Sequence, residues 1–239
     1  MIKKKYLGIL GSKGFVGSAI VRFCKKNKIS FVGITRKNNF RNKNLKFEYL
    51  INCALPSKRF WAKKFPDKDF EETVLKTKYF LKNFNYDKFI HVSSVSARVQ
   101  LNTVYGKNKK KAENLVKKKK SFTIYRLASM YGKGLYKGVL IDLINSSQVY
   151  LNKNSRYSFT KVDKIAEFII LNLKNFKNER VEIGCNDTFK LEYVKDKIKS
   201  KSSFKGIIDN QILIKSSTNI FFGSSKNVFK FLKSIKNKT

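Results

Sequence analysis

With 239 residues, 42% of them hydrophobic, the chain can bury one full core with a small appended lobe, as an ordered globular protein does. Its 53 Lys and Arg against 16 Asp and Glu leave a formal net charge of +37, so nucleic acid or an anionic surface has to be weighed as a partner. No long apolar run reaches the roughly 18 residues of a membrane span, and the start M-I-K-K-K-Y-L-G-I-L-G runs straight into a strand rather than a secretory signal, so no membrane insertion and a cytoplasmic location are expected.

Tyr6 to Leu10 (Y-L-G-I-L) has the short apolar run of a buried parallel strand, and from Phe15 the apolar residues recur at helical spacing. Between them lies a glycine turn formed by Gly11, Ser12, Lys13, Gly14, Phe15, Val16 and Gly17. A turn this tight needs residues without a Cβ if the backbone is to approach a pyrophosphate. The following helix then offers free N–H groups and a positive dipole end to that anion. Gly17 would let the helix pack close to the strand. The spacing is G-x-x-G-x-x-G rather than G-x-G-x-x-G, and an ordinary strand-to-helix turn is the alternative.

Ile29 to Thr35 reads as a second strand that would end beside an adenosine ribose. An acid there would bind the ribose hydroxyls of NAD, whereas a base would meet the 2′-phosphate of NADP. The residues are Thr35 and Arg36, which favours NADP over NAD, although arginine at a loop position is unremarkable in so basic a chain. Tyr49 to Ala54 reads as a third core strand, with Ala54, Leu55 and Pro56 leaving it at the carboxyl edge, where the small Ala54 would let a dinucleotide pass. Asp67 to Asn83 is expected to be a long amphipathic helix. Phe89 to Ser94 is the next buried strand and ends in hydroxyls at the same edge.

Tyr105 and Lys109 stand four residues apart at the start of a second amphipathic helix, Tyr105 to Lys120, and so share one face. There the ammonium could lower the tyrosine pKa from about 10. Tyr105 could then exchange a proton with a substrate hydroxyl or carbonyl as hydride moves to or from a nicotinamide. Ser94, eleven residues before Tyr105, would hydrogen-bond the same substrate oxygen. A surface tyrosine on a basic helix is the competing reading, and the strand ending in Ser94 argues against it. Near the end of the chain, Phe221-Phe222 and Val228 to Ile235 are apolar enough to dock a final strand and helix.

Several segments in this order resemble the extended short-chain dehydrogenase/reductase superfamily, specifically its NAD-dependent epimerase/dehydratase family. They are the glycine turn, I-N-C-A, F-I-H-V-S-S and Y-G-K-N-K-K-K-A-E-N-L-V from Tyr105 onward. Tyr125 to Gly134 is similar to the family's R-P-a-s-v-Y-G-p-G segment, Ser158 to Ala166 to f-v-h-V-d-D-v-A, and Val181 to Gly184 to y-N-i-G. The resemblance implies an α/β, Rossmann-like doubly wound parallel sheet with a small C-terminal substrate lobe. The chain would be a single compact unit over 1–239, with the NAD(P)-binding part running to about 126 and the lobe and returning sheet elements in about 127–239. It further implies a Ser94, Tyr105, Lys109 triad, with Lys109 also on the nicotinamide ribose, acting on a sugar or nucleotide-sugar. Ser96 and Arg156 are candidate substrate contacts, Arg156 where the family often binds phosphate, though a solvated loop arginine fits equally. The two long helices would pair across a homodimer axis.

The family's dehydratases usually carry Asp-Glu directly after the catalytic hydroxyl residue, whereas this chain has Val95-Ser96, which argues against dehydration. Epimerisation and 4-keto reduction both remain, and Arg36 leans toward reduction. Only twelve residues separate Arg36 from Tyr49, too few for the family's usual elements there, so a loop with at most one short strand and a smaller sheet are expected. Cys24, Cys53 and Cys185 read as reduced core thiols without metal spacing, and His91 as a packed strand residue. Two readings of another class stand beside this one: a non-catalytic NADP-binding protein, and a basic protein for nucleic acid or an anionic surface on the same fold. The cations are mostly lysine and spread along the whole chain, which disfavours nucleic acid.

Overall fold

A computed structural model of the chain describes residues 6–38, 40–216 and 218–236, so the expectation for Met1 to Lys5 lies outside the described residues. The chain runs through β1 (Tyr6–Leu10), α1 (Phe15–Lys26), β2 (Val32–Ile34), a 3-10 turn (Phe40–Asn42), β3 (Lys46–Asn52), α2 (Arg59–Lys64) and α3 (Pro66–Phe70). A π-helical turn (Glu71–Leu75) leads into α4 (Lys76–Asn83), β4 (Asn85–Ser94), α5 (Ser96–Val99), α6 (Val104–Val116) and β5 (Phe122–Leu127). Then follow β6 (Ser129–Tyr131), α7 (Val139–Ile144), β7 (Arg156–Tyr157), β8 (Phe159–Lys161), α8 (Val162–Leu171) and β9 (Glu179–Gly184). The last elements are β10 (Phe189–Lys190), α9 (Leu191–Lys197), β11 (Ile220–Phe221) and α10 (Asn227–Lys236).

Seven strands form one parallel sheet in the order β11-β9-β5-β4-β3-β1-β2, a Rossmann-like α/β arrangement. Register aligns the carboxyl ends: Leu10 lies opposite both Ile34 and Asn52, and Asn52 opposite His91. The segments that start at Gly11, Thr35 and Cys53, together with the end of β4, therefore emerge at one edge of the sheet. The chain passes from β1 to β2 on one side and returns across β1 to β3, so the strand order reverses at β1. Open α/β sheets bind ligands at such a reversal.

Two compact units divide the chain, one made of 1–126 and 166–181, the other of 127–165 and 182–239. In the first, Leu10, Ile34, Phe47, Leu50, Phe80, Phe84, Phe89 and Ile124 pack into one apolar cluster. On α1, Ala19, Ile20 and Cys24 fall on one buried face, and Lys25 and Lys26 sit in the last turn, where the dipole favours cations. The second unit has its own core, in which Leu143, Val149, Phe159, Leu191, Val194, Val228 and Leu232 are buried.

Several boundaries differ from the sequence reading. The second strand is only Val32–Ile34 rather than Ile29 to Thr35, and β3 begins at Lys46 and ends at Asn52 rather than spanning Tyr49 to Ala54. β4 starts four residues before Phe89, because the polar residues of its first half are accommodated: Lys88 sends its ammonium to the carbonyls of Leu173 (2.9 Å) and Asn175 (2.5 Å). The Asp67–Asn83 helix is interrupted by the π-helical turn. Helix α6 stops at Val116 rather than Lys120, since Lys117 to Lys120 supply like charges and no apolar side chain to bury. The described part of the 37–48 segment holds the 3-10 turn and the start of β3, which pairs directly with β1. Among the described residues, no helix is long and apolar enough to cross a membrane.

One buried ion pair fixes α6 to the sheet. Arg126 at the end of β5 grips Glu113 of α6 with two bonds, Nε to Oε1 at 2.8 Å and Nη2 to Oε2 at 2.6 Å. Ser93 of β4 donates to the same Oε1 at 2.7 Å. Glu113 is fully buried and Arg126 nearly so. Removing one partner strands a charge, so Glu113→Gln and Arg126→Met should each cost about 3–5 kcal/mol, and the double change Glu113→Leu/Arg126→Met less than either. Urea unfolding of the three variants measures this.

Candidate functional site

The glycine turn closes on itself and on the neighbouring strands. Gly11 takes φ +74°, its N–H donates to Ile34 O at 2.9 Å, and its carbonyl accepts from Gly14 N at 2.8 Å. A Cβ on Gly11 would stand 2.8 Å from the Ala54 Cα, and one on Gly17 would stand 2.2 Å from the Gly11 carbonyl oxygen. Gly14 caps α1 in extended conformation with no side chain on the helix's first amides. Those amides and the dipole end suit an anion. Ser12 is buried with its hydroxyl on Ile34 O, while Lys13 is exposed and Phe15 and Val16 are half-buried on the first turn.

After β2, Asn38 organises the turn. Its Oδ1 accepts from the Thr35 amide at 2.6 Å and the Thr35 hydroxyl at 3.1 Å, and its Nδ2 donates to Gly33 O at 2.9 Å. Arg36 points to Glu72 (2.9 Å), which also holds Lys76 at 2.6 Å. Arg36 is 79% exposed, so this pair is worth at most about 1 kcal/mol and leaves the guanidinium available to a stronger anion.

Beyond β3, Asn52 accepts the Ala54 amide at 3.1 Å, and its Nδ2 lies 3.3 Å from Nδ1 of His91. His91 is fully buried, stacked against Phe89, and pushed down to about 3 by burial and then by the Lys109 charge, so it is a neutral strand residue. The chain continues through the half-buried Ala54 and Leu55 to Pro56, whose carbonyl receives Lys109 Nζ at 2.8 Å.

Helix α6 carries Tyr105 and Lys109 on one face, with Lys109 Nζ 5.0 Å from the Tyr105 ring centroid. Thr103 caps the helix by accepting from Gly106 N at 3.0 Å, a bond that substitutes for a missing intrahelical partner. Ser94 hydrogen-bonds the Tyr105 hydroxyl and also donates to Ser96 Oγ at 3.2 Å. Burial pushes the Tyr105 phenol up; Arg59 and the Ser94 hydrogen bond oppose this, and Asp69 adds to it. The sequence reading had Lys109 lowering this phenol. In the structure the groups that oppose burial of the phenol are Arg59 and Ser94, and burial pulls Lys109 itself down to about 7, with Asp69 and Glu113 opposing.

The first unit thus brings together the glycine turn, Ala54 to Pro56, Ser94, Ser96, Tyr105 and Lys109. Arg156 belongs to the second unit, on β7, where Nε donates to Thr188 Oγ1 at 3.2 Å. Sequence reasoning missed Arg59, Asn38, Asn108 and Asp69. The Tyr105, Lys109, Glu113 spacing of four was a usable signal for Glu113. Asp69 gave none, since an acid in P-D-K-D-F reads as solvated until α3 packs against α6.

A turn that two Cβ atoms would fill, uncapped amides above it and a small residue opposite are the features a pyrophosphate-bearing dinucleotide requires, so the residues present fit that group. Residues 7–92 match the model described as NAD dependent epimerase/dehydratase family. No curated relative matches the chain. Among solved structures, the fold is similar to a dTDP-4-dehydrorhamnose reductase of Clostridium acetobutylicum, with TM-score 0.74 and 14% identity over 97% of this chain and 99% of that one. It is similar also to a UDP-glucose 4-epimerase of Thermus thermophilus in complex with NAD (TM-score 0.70, 13% identity, 95% and 93% covered). A UDP-glucose 4-epimerase of Thermotoga maritima with UDP-glucose gives TM-score 0.67 and 16% identity, with 97% of each chain covered.

The Gly11–Gly17 approach is the site's tightest demand. Gly17→Ala must push α1 off the turn, with an expected loss of about 1–3 kcal/mol of stability. Thermal unfolding of the variant checks this.

Proposed function

We propose that the chain is an NAD(P)-dependent oxidoreductase or epimerase acting on a nucleotide-sugar, with 4-keto reduction favoured. The observation that carries this reading is the position of Lys109, which joins the two halves of the site by donating to Pro56 O at 2.8 Å while standing beside Tyr105. Its three donors suit nicotinamide ribose hydroxyls as well. Residues 11–17 would hold the pyrophosphate, and the bound dinucleotide supplies or accepts the hydride.

Tyr105 is kept protonated by burial, so it is poised to give a proton to a substrate carbonyl oxygen, and Ser94 would hold that same oxygen. A resting proton donor suits reduction of a ketone. Val95-Ser96 stands where a dehydrating pair of acids would be, which supports leaving elimination aside. Arg36 supports NADP: a 2′-phosphate would compete with Glu72 for an exposed guanidinium, and the residues after β2 are Thr35, Arg36, Lys37 and Asn38, with no carboxylate for a ribose. The nucleotide-sugars named with the similar structures support the substrate class.

The test is equilibrium binding of NADPH and NADH to the wild-type protein, Tyr105→Phe and Arg36→Ala, followed by NADPH oxidation with dTDP- and UDP-4-keto-hexoses. The expected result is NADPH binding that Arg36→Ala weakens and Tyr105→Phe retains, with turnover falling about 100-fold or more in Tyr105→Phe. Failure of the wild-type protein to bind either nucleotide overturns the reading.

A further inference from the structure

In the second unit, the segment from Ile208 to Ile214 (I-D-N-Q-I-L-I) runs beside β7, with Gln211 bridged in parallel to Tyr157. Its exposure alternates residue by residue. Asp209, Gln211 and Leu213 are buried, while Ile208, Asn210, Ile212 and Ile214 are exposed. A strand lying on a core alternates the other way, with its apolar side chains inward and its polar ones outward. The inversion is pinned by hydrogen bonds. Asp209 accepts from the Tyr157 hydroxyl and from Gln211 Nε2 at 3.1 Å, and its amide donates to Ser155 Oγ at 3.0 Å. The Gln211 amide donates to Arg156 O at 2.8 Å. A slip of one residue would turn the isoleucines inward and break this buried network, so their outward direction is built into the unit.

The apolar surface continues upstream. Ile207 is 71% exposed and Ile208 56%. Ile207 O accepts from the Asn152 amide at 2.9 Å, and a Cβ on Gly206 would stand 2.8 Å from Tyr150 O, so the exposed Tyr150 adjoins the isoleucines. Cations border this surface. From 195 to 205 the chain carries five lysines and a single acid, Asp196. The Lys201 amide donates to Ser146 Oγ at 3.1 Å and the Lys205 amide to Val149 O at 2.8 Å, which sets these two exposed lysines beside Tyr150.

An apolar patch with a basic border fits a partner that is apolar within and negative at its surface. A second copy of this chain offers apolar side chains but brings a further +37 of charge. Nucleic acid offers the negative charge, yet gives aliphatic side chains little to bury against. An anionic bilayer offers both, headgroup phosphates to the lysines and the acyl boundary to isoleucine and tyrosine. We propose that Tyr150, Ile207 and Ile208, with the outward face up to Ile214, form a docking surface for an anionic lipid bilayer, bordered by Lys201 and Lys205. The unit lies on the bilayer by this surface and does not cross it. The proposal is independent of the Tyr105 chemistry, because all of its residues belong to the second unit.

Co-sedimentation of the full chain with vesicles tests this, using phosphatidylcholine alone and phosphatidylcholine with about one third phosphatidylglycerol. The wild-type protein should bind the anionic vesicles and leave the neutral ones. So basic a chain is drawn to any anionic surface, so the deciding variants change no charge. Ile207→Ser/Ile208→Ser should weaken partitioning about tenfold or more. Leu171→Ser, at a similarly exposed leucine of the first unit, should leave it unchanged. Lys205→Gln should weaken it about fivefold. A second readout locates the contact: Ile208→Trp should be quenched by lipids brominated on their acyl chains, beyond any quenching of Trp61, and Leu171→Trp should not. If the double serine variant does not fold, the Ile208→Trp quenching decides the question. Failure of the wild type to bind anionic vesicles, equal partitioning of a folded Ile207→Ser/Ile208→Ser, or equal quenching at positions 208 and 171 overturns the proposal. So does a wild-type dimer that the serine variant dissociates, or binding of single-stranded RNA that the serine variant loses while its vesicle binding persists.

Discussion

The Arg126–Glu113–Ser93 cluster is the constraint from which the site follows. Tyr105, Lys109 and Glu113 are spaced by four and so occupy one face of α6. Holding Glu113 against the ends of β4 and β5 with three bonds of 2.6–2.8 Å fixes the rotation of the helix about its axis. A small rotation of the helix would carry the phenol and the ammonium away from Ser94 and Pro56 together. The near end of α6 is fixed differently, by the Thr103 cap and by Gly106, where a Cβ would stand 2.1 Å from the Gln100 carbonyl oxygen.

A second constraint comes from strand register. Because β1, β2, β3 and β4 align at their carboxyl ends, the glycine turn, the Asn38 turn, the Ala54 to Pro56 segment and Ser94 all leave the sheet on one edge. Backbone does most of the joining here. Gly11 admits Ala54 at a distance no side chain would allow, and the Pro56 carbonyl, a few residues on, accepts the lysine from α6. Proline has no N–H to place, but its carbonyl is a full acceptor, so the segment can leave the sheet and still hold a buried cation.

How much of this could be read beforehand depended on whether a residue's task was local. The glycine turn, β1, α1 and the Tyr105/Lys109 face rest on spacing along the chain, and the structure has them close to where periodicity placed them. What could not be read were partners brought in by packing of one element on another: the charges of Arg59 on α2 and Asp69 on α3 act on the Tyr105 phenol. The π-helical turn was equally invisible, since its sequence E-E-T-V-L has ordinary helical character. Lys88 lies inside β4 although the apolar run begins at Phe89, because two carbonyls receive its ammonium.

The large positive charge sharpens these choices rather than replacing them. With 53 basic and 16 acidic residues, carboxylates are scarce, and the cost of desolvation at Lys109 is opposed by Asp69 and Glu113. Acids are scarce, so where they lie is informative. Glu113 lies on Arg126, Glu72 bridges Arg36 and Lys76, and Asp69 accepts from the buried Asn108. The lysines of the 117–120 run are mostly exposed and have solvent to screen them, so they need no such partner. Among the lysines of α6, Lys109 is the buried one, and its ammonium goes to the Pro56 carbonyl while Lys107 and Lys111 stay exposed.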